Sequence, residues 1–369
     1  DMKKKNLCKT LLKTMCIVLG ILILALLAYI VYLYASYYRI EDNQELVVEA
    51  PVDDTTTGAA AVLATDKEYS AVTYNIGFGA YLPDYSFFMD GGTSSWAESP
   101  ETVQYAINGA GELVKSLDPD FALIQEIDLD ATRSYHTDEY EMLRNLLPEY
   151  TTVFAQNYDS AFLFYPFTQP HGSSRAGLGL FSKYPVSSAL RRSFPISTSF
   201  SKFFDLDRCY SVSRIPVDNG KELVIFNLHM SAYGNSDEIR KGQIEMLCND
   251  MAKEYEAGNY VLCGGDFNHD LKASEEDTES CESWAFPFPR TELPEHFAFC
   301  LDLLSSEEQA ALWNSARNAD MEYVPGVTYT VTLDGFIISD NIECLSYENV
   351  NTGYSYSDHD PVKVEFVLK

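Results

Sequence analysis

Ser357-Asp358-His359-Asp360-Pro361 stands directly before a strand-length run, Val362–Leu368. A carboxylate beside an imidazole joins a group that binds hard cations to one that moves protons near neutral pH. The same pairing of a short apolar run with polar chemistry at its end repeats upstream. Runs of strand length occur at Ser70–Tyr74, Phe121–Gln125, Thr152–Phe154, Gly177–Ser182, Leu223–Leu228, Tyr260–Cys263 and Gly335–Ser339. Between them, Thr102–Leu117, Asp138–Leu147 and Asp237–Tyr255 carry apolar residues at helical spacing, the first just after Pro100. Strands, helices and long loops alternate without internal repeat, which predicts a layered α/β domain with a sheet-on-sheet core.

The polar residues fall where loops meet the strands, the usual place for a site. In order they are Thr73-Tyr74-Asn75, Ile124-Gln125-Glu126, Asn227-Leu228-His229, Gly264-Gly265-Asp266-Phe267-Asn268, Leu333-Asp334-Gly335-Phe336-Ile337 and Ser357-Asp358-His359. Each has a plain reading alone. An Asn after a strand closes turns, a Glu there is usually solvated, and a lone His is more often structural than catalytic. Together they form the inventory of a Mg²⁺-type site with two imidazoles. Carboxylate and amide oxygens suit a hard divalent ion. Phosphoester hydrolysis needs an activated water, a stabilised developing charge and a protonated leaving group. One His can take the proton of that water, provided a carboxylate fixes its tautomer, and Asp334 is the natural partner of His359.

This ordered series resembles the motifs of the endonuclease/exonuclease/phosphatase superfamily, the DNase I-like group that also holds abasic-site endonucleases, bacterial neutral sphingomyelinases and inositol polyphosphate 5-phosphatases. The likeness runs from about Tyr69 to Lys369, and Gly177–Pro185 resembles the segment that links two central strands in that group. It implies a four-layer α/β/β/α sandwich of two packed mixed β-sheets. It also implies a metal held by Glu126, with Asn75 and Asp358 close to it, and Mg²⁺ as the ion, with Mn²⁺ or Ca²⁺ as alternatives. Asp266 and Asn268 would hold or activate the attacking water. His359, oriented by Asp334, would act as general base or transition-state stabiliser. His229 would bond a phosphate oxygen or assist the leaving group, with Asn227 supporting its loop. Two details depart from the pattern: Met230-Ser231 follows His229, and Gly335 separates Asp334 from Phe336.

The bulk of the chain narrows the substrate and the setting. Its 369 residues carry a net charge of −29. Residues 1–40 hold Lys3, Lys4, Lys5, Lys9, Lys13 and Arg39 against Asp1, so the remainder is more acidic still. Such a surface repels polyanions and disfavours a general nuclease. No charged residue lies between Lys13 and Arg39, and 14–38 is long enough to span a bilayer. The alternatives are a leader cleaved near Ala35 and a buried core helix. With lysines before it and Glu41, Asp42, Glu45 and Glu49 after it, the positive-inside rule places 1–13 in the cytoplasm as a basic tail. Residues 39–67 read as a linker and 68–369 as an extracytoplasmic catalytic domain. Eight cysteines include no CxxC pair, which argues against a zinc knuckle; Cys281 with Cys300 is the most plausible disulfide.

Three aromatic stretches bear on specificity. Tyr81–Trp96 closely follows Asn75 and reads either as a lid or substrate wall over the site or as a loop packed on its own aromatics. The others are Tyr158–Phe167 and Trp284–Phe288. Tyr165, Arg175 and His171 are candidates for a leaving-group contact, while His269 reads as a bystander. The expectation is a metal-dependent phosphodiesterase or phosphatase acting outside the membrane on a small or lipid-linked phosphoester. The alternatives are an anchored extracellular nuclease, or a binding protein on the same fold.

Overall fold

The structure, a computed structural model, describes residues 2–53, 62–232, 237–274 and 285–369. It divides into two units, Asp1–Arg39 and Ile40–Lys369. The first is one helix, α1 (Met2–Ser36). From Asn6 to Ser36 it is long and apolar enough to cross a membrane, and by length and composition it fits a span or a signal sequence.

The strands of the second unit are β1 (Gln44–Glu45), β2 (Val48–Glu49), β3 (Glu68–Asn75), β4 (Phe121–Ala131), β5 (Thr151–Leu163), β6 (Gly172–Ser182), β7 (Ser188–Ser193) and β8 (Cys209–Pro216). They continue with β9 (Glu222–His229), β10 (Tyr260–Asp266), β11 (Phe297–Phe299), β12 (Ala316–Arg317), β13 (Thr330–Val331), β14 (Asp334–Ser339), β15 (Ile342–Asn349) and β16 (Val362–Leu368). Over the described residues, one seven-stranded sheet runs β1-β7-β8-β9-β10-β14-β11 and another runs β15-β16-β3-β4-β6-β5-β2. Strands β12 and β13 make a separate ribbon. Within the stretch expected to link anchor and domain, residues 44–49 thus add a short edge strand to each sheet.

Each sheet holds one parallel pair, β3 with β4 and β9 with β10. A parallel pair needs a crossover, and α2 (Pro100–Leu117) and α4 (Asp237–Glu256) supply the two. Helix α2 starts where the Ser99 side chain accepts from Thr102 N–H, with Pro100 in the first turn, where a missing N–H costs nothing. It buries Val103, Ile107, Ala110 and Val114 with Tyr74 and Ile124. Helix α3 (Glu139–Leu146) adds Leu143 to the same outer core. Helix α4 buries Ile244, Leu247 and Met251 in the core that also contains Phe226, Leu262, Phe336, Leu123 and Val364 from the two sheets. These are the expected α/β/β/α layers.

The sheets meet closely near the carboxyl ends of the parallel strands. A Cβ on Gly264 would lie 3.2 Å from Leu123 of the opposite sheet and closer still to Phe336. A buried polar bridge crosses the same gap. Gln125 Nε2 donates to Asn227 Oδ1 (2.8 Å), and Asn227 Nδ2 donates to the Gly179 carbonyl (3.0 Å).

The expected Cys281–Cys300 bridge lies outside the described residues because Cys281 does. Cys300 itself is buried, with its thiol in hydrogen-bonding reach of Cys344.

Candidate active site

Strand register assembles the site. In one sheet His229 pairs with Asp266 across the parallel ladder, and Asp266 pairs with Asp334 across the antiparallel one, so the three form a row. In the other sheet Asn75 pairs with Gln125. The register of β4 against β6 then shifts between Ile124 and Ile127, and Glu126 takes a left-handed backbone (φ 57°). A bulge of this kind re-aims one side chain, and Glu126 enters the pocket. Asn268 is also left-handed (φ 50°). For a residue with a Cβ such backbone costs about 1–3 kcal/mol and persists where the surroundings enforce it.

The side chains converge. Asn75 Nδ2 stands 3.1 Å from both Glu126 Oε1 and Asp266 Oδ2. His229 Nε2 lies 3.5 Å from Asp266 Oδ2 and 3.8 Å from Glu126 Oε1. His359 Nδ1 bonds Asp334 Oδ2 at 2.7 Å, while its Nε2 lies 3.8 Å from Asp266 Oδ2. Ser315 Oγ also donates to Asp334 Oδ2 (2.7 Å) and fixes that carboxylate. Asn268 N–H caps Asp266 Oδ1 (2.8 Å), and Asn268 Nδ2 holds the Met230 carbonyl (2.9 Å). Ser357 Oγ ties the Asn75 carbonyl (2.8 Å) and lies 3.2 Å from Asp358 Oδ1, drawing the last loop onto β3.

Burial and neighbours set opposite charge states on the two imidazoles. Burial opposes charge on His359, but Asp334, Asp266 and Asp358 outweigh it and hold its pKa well above the usual histidine value. Burial, helped by Arg208 and His359, keeps His229 well below it. Burial also raises Asp266, with His359 opposing and Asp334 adding to the rise. Asp358 is raised by burial and by Glu126, against His359 and Arg317.

The profile of the endonuclease/exonuclease/phosphatase family matches residues 72–303. The chain belongs to that family. No curated protein matches its sequence. Among solved structures, the endonuclease/exonuclease/phosphatase from Bacteroides vulgatus is similar at 17% identity and TM-score 0.53, over 82% of this chain and 100% of that one. TDP2 from D. rerio, complexed with single strand DNA product, gives 14% identity and TM-score 0.53 over 82% and 99%. The human Nocturnin catalytic domain with bound sulfate anion gives 14% and 0.52 over 84% and 97%. At these identities the likeness concerns the fold.

In this family member the site opens into a cavity of about 540 Å³. Glu126, His229, Asp266, Asn268, Asp358 and His359 line it, while Asp334 and Asn75 stand behind that surface. Endonuclease/exonuclease/phosphatase proteins generally use divalent metal ions, and the donor set here fits one. Glu126 and Asp358 meet in one buried pocket, and their mutual repulsion is relieved by a cation. Asp266, Asp334 and His359 also bring ligand atoms within 4.8 Å of one another. In that group, however, the Asp334–His359 bond already takes up one atom from each partner. Glu126 and Asp358 are therefore the better carboxylates for an ion. The Asn75 Oδ1 accepts from Gly77 N–H (3.0 Å) and its amide group faces the carboxylates, so as placed it orients Glu126 and Asp266.

Three arginines of the pocket escaped the sequence reading. Arg133 forms a two-pronged pair with Asp128 (3.0 and 2.8 Å) and stacks over Phe78, its Cζ 3.7 Å from the ring centre. Arg208 donates to the Met230 carbonyl (3.0 Å) and Arg317 to the Leu82 carbonyl (2.9 Å). Both keep a buried Nε with no hydrogen-bond partner among the described residues. Of the leaving-group candidates, His171 lines the pocket between Phe87 and Phe88 and is pulled down to about 3, by burial and then Arg133. Arg175 is instead paired with Asp130 (3.1 Å), and Tyr165 packs on Phe88; neither lines the cavity. His269 bonds the Phe267 carbonyl, also off the cavity. Loop 81–96 packs on its own aromatics and also forms part of the pocket wall. Tyr81, Tyr85 and Phe87 pack on Phe78 and one another, while Met89 and Asp90 face the cavity. Trp284 lies outside the described residues.

Proposed function

We propose that the chain is a divalent-metal-dependent phosphoester hydrolase that acts on a small or lipid-linked phosphoester outside the membrane. One observation carries this reading: the row His229–Asp266–Asp334 of one sheet faces Asn75 and Glu126 of the other across a single pocket. Bound by Glu126 and Asp358, a divalent ion would neutralise charge on the phosphoryl oxygens. Asp266, raised by burial, accepts the proton of the attacking water, and Asn268 holds the loop that positions it. His359, kept protonated by Asp334, donates to a phosphate oxygen as charge develops. His229, kept neutral, offers a hydrogen bond beside it. Arg208 and Arg317 add positive charge to the pocket of an otherwise acidic protein. The lysines in the first turns of α1, ahead of its apolar stretch, support an N-terminus in the cytoplasm and a catalytic domain outside.

The test uses the full chain in detergent micelles with bis-p-nitrophenyl phosphate and p-nitrophenyl phosphate, supplied with Mg²⁺, Mn²⁺ or Ca²⁺. Metal-dependent release is expected, and His359→Ala or Asp266→Ala should lower kcat by about 10³-fold or more. Release that survives both EDTA and these changes would sink the proposal.

A further inference from the structure

Two thiols meet where the sheets end. Cys300 directly follows Phe299, the last residue of β11, which is the edge strand of one sheet. Cys344 lies on β15, the edge strand of the other. Cys300 is buried in the core that both sheets share, and Cys344 packs against that core, half-buried. Their side chains share a hydrogen bond. No strand ladder ties β11 to β15, because the two belong to different sheets.

Their surroundings give the two thiols unequal chemistry. Burial pushes the Cys209 thiol up to about 11 and the Cys248 thiol up to about 12. Thiols held protonated in this way are poor nucleophiles. Cys344 differs. The hydrogen bond from Cys300 draws its thiol below the ordinary cysteine value, while Cys300 keeps its own proton. Cys344 is also the one of the pair with a path to solvent, and its neighbour Leu345 is 46% exposed. Cys300, buried beside it, has the place of a resolving thiol. The backbone here has room to adjust. The register of β15 on β16 shifts between Cys344 and Ser346, and an edge strand has one side free of ladder bonds. Closing the sulfurs from hydrogen-bonding reach to the roughly 2 Å of a bond is then a local change.

We propose that Cys300 and Cys344 form a disulfide that staples the edge strands of the two sheets to each other. The Cys344 thiolate attacks one sulfur of a disulfide oxidant, such as glutathione disulfide, and expels the other as a thiolate. Cys300 gives up its proton and displaces the oxidant's remaining sulfur from Cys344. The Sγ–Sγ bond forms, the oxidant's S–S bond breaks, and its two sulfurs leave as thiols with the two protons. The protein loses two electrons and the oxidant gains them. The ring that closes, 300–344, contains Ser315, Arg317 and Asp334 of the site. A link between residues so far apart in the chain restricts the unfolded state and stabilises the folded one.

The full chain in detergent micelles is incubated with glutathione disulfide or with a reductant, quenched with N-ethylmaleimide and digested with trypsin without further reduction. Trypsin places Cys281, Cys300 and Cys344 in separate peptides, 273–290, 291–317 and 318–363. Mass spectrometry should find 291–317 joined to 318–363 after oxidation, and both alkylated after reduction. The oxidised chain should also unfold at a urea midpoint about 1 M higher. Cys344→Ser should abolish that shift and Cys281→Ser should leave it in place. Peptides 291–317 and 318–363 alkylated after oxidation, or 291–317 joined to 273–290, would overturn the pairing. A correctly joined chain with an unmoved midpoint overturns the staple.

Discussion

Arg208 and Arg317 line a pocket that otherwise gathers carboxylates, and each keeps a buried Nε without a hydrogen-bond partner among the described residues. Losing a preorganised donor aimed at developing charge costs about 10²-fold or more. Arg208→Ala should therefore lower kcat/KM by roughly 10²-fold on small phosphodiesters, with Arg208→Lys recovering only part, because one point charge replaces a planar fork. Steady-state kinetics on bis-p-nitrophenyl phosphate checks this. His171 gives a pH signature. Its folded value of about 3 lies below the ordinary value near 6.5. Between the two only the unfolded chain takes the proton, so this residue costs nothing above pH 6.5 and destabilises the fold as pH falls toward 3. His171→Gln should spare about 2–3 kcal/mol of the stability lost between pH 7 and pH 4, read from urea midpoints at both pH values. These residues differ in how openly the sequence shows them. Asn75, His229, Asp266 and Asp334 stand at strand ends, Glu126 follows the apolar run 121–125 at the bulge inside β4, and His359 comes just ahead of β16, so an apolar run marks each one. Arg133 sits in a single 3-10 turn (Thr132–Ser134), Arg208 in a loop and Arg317 in a two-residue strand, and only their meeting in space reveals them.

At the scale of elements, the close contact of the sheets sets the tolerances. Gly265 has φ 148°, and a Cβ there would lie 2.1 Å from the Leu228 carbonyl oxygen. Backbone on the neighbouring strand cannot yield as a side-chain tip can. Gly265→Ala should cost about 3 kcal/mol and, by displacing Asp266, should lose activity in the fraction that folds; urea unfolding and a turnover assay separate the two effects. Asn227→Ala removes the buried bridge between Gln125 and the Gly179 carbonyl, a loss of about 1–3 kcal/mol, visible as a lower urea midpoint. The strands that carry such contacts are the ones legible in the sequence. β3, β9, β10, β14 and β16 are apolar because both of their faces, or the central one, are covered. β7, β8 and β15 were missed: Ser, Arg and Glu interrupt them, and β15 leaves Glu343, Ser346 and Glu348 in water at a sheet edge. The chain 40–49 looked like a linker because two-residue strands leave no period to read.

For the molecule as a whole, the charge balance is acidic, and three arginines stand among the carboxylates of the pocket. A small ester meets mainly the pocket, whereas a polymer of phosphates must also approach the surface around it. Plasmid DNA should therefore resist nicking at enzyme concentrations that turn over bis-p-nitrophenyl phosphate, which a gel assay with Mg²⁺ reads directly; efficient nicking would favour the nuclease reading.

Asn75 and Glu126 belong to one sheet, and His229, Asp266 and Asp334 to the other. Neither sheet owns a working half. A refolding chain that has built one sheet has none of the chemistry, and one that has built both without docking them has the residues at the wrong separation. Turnover is therefore expected to return on refolding only when the two layers lock, which makes it a readout of their docking.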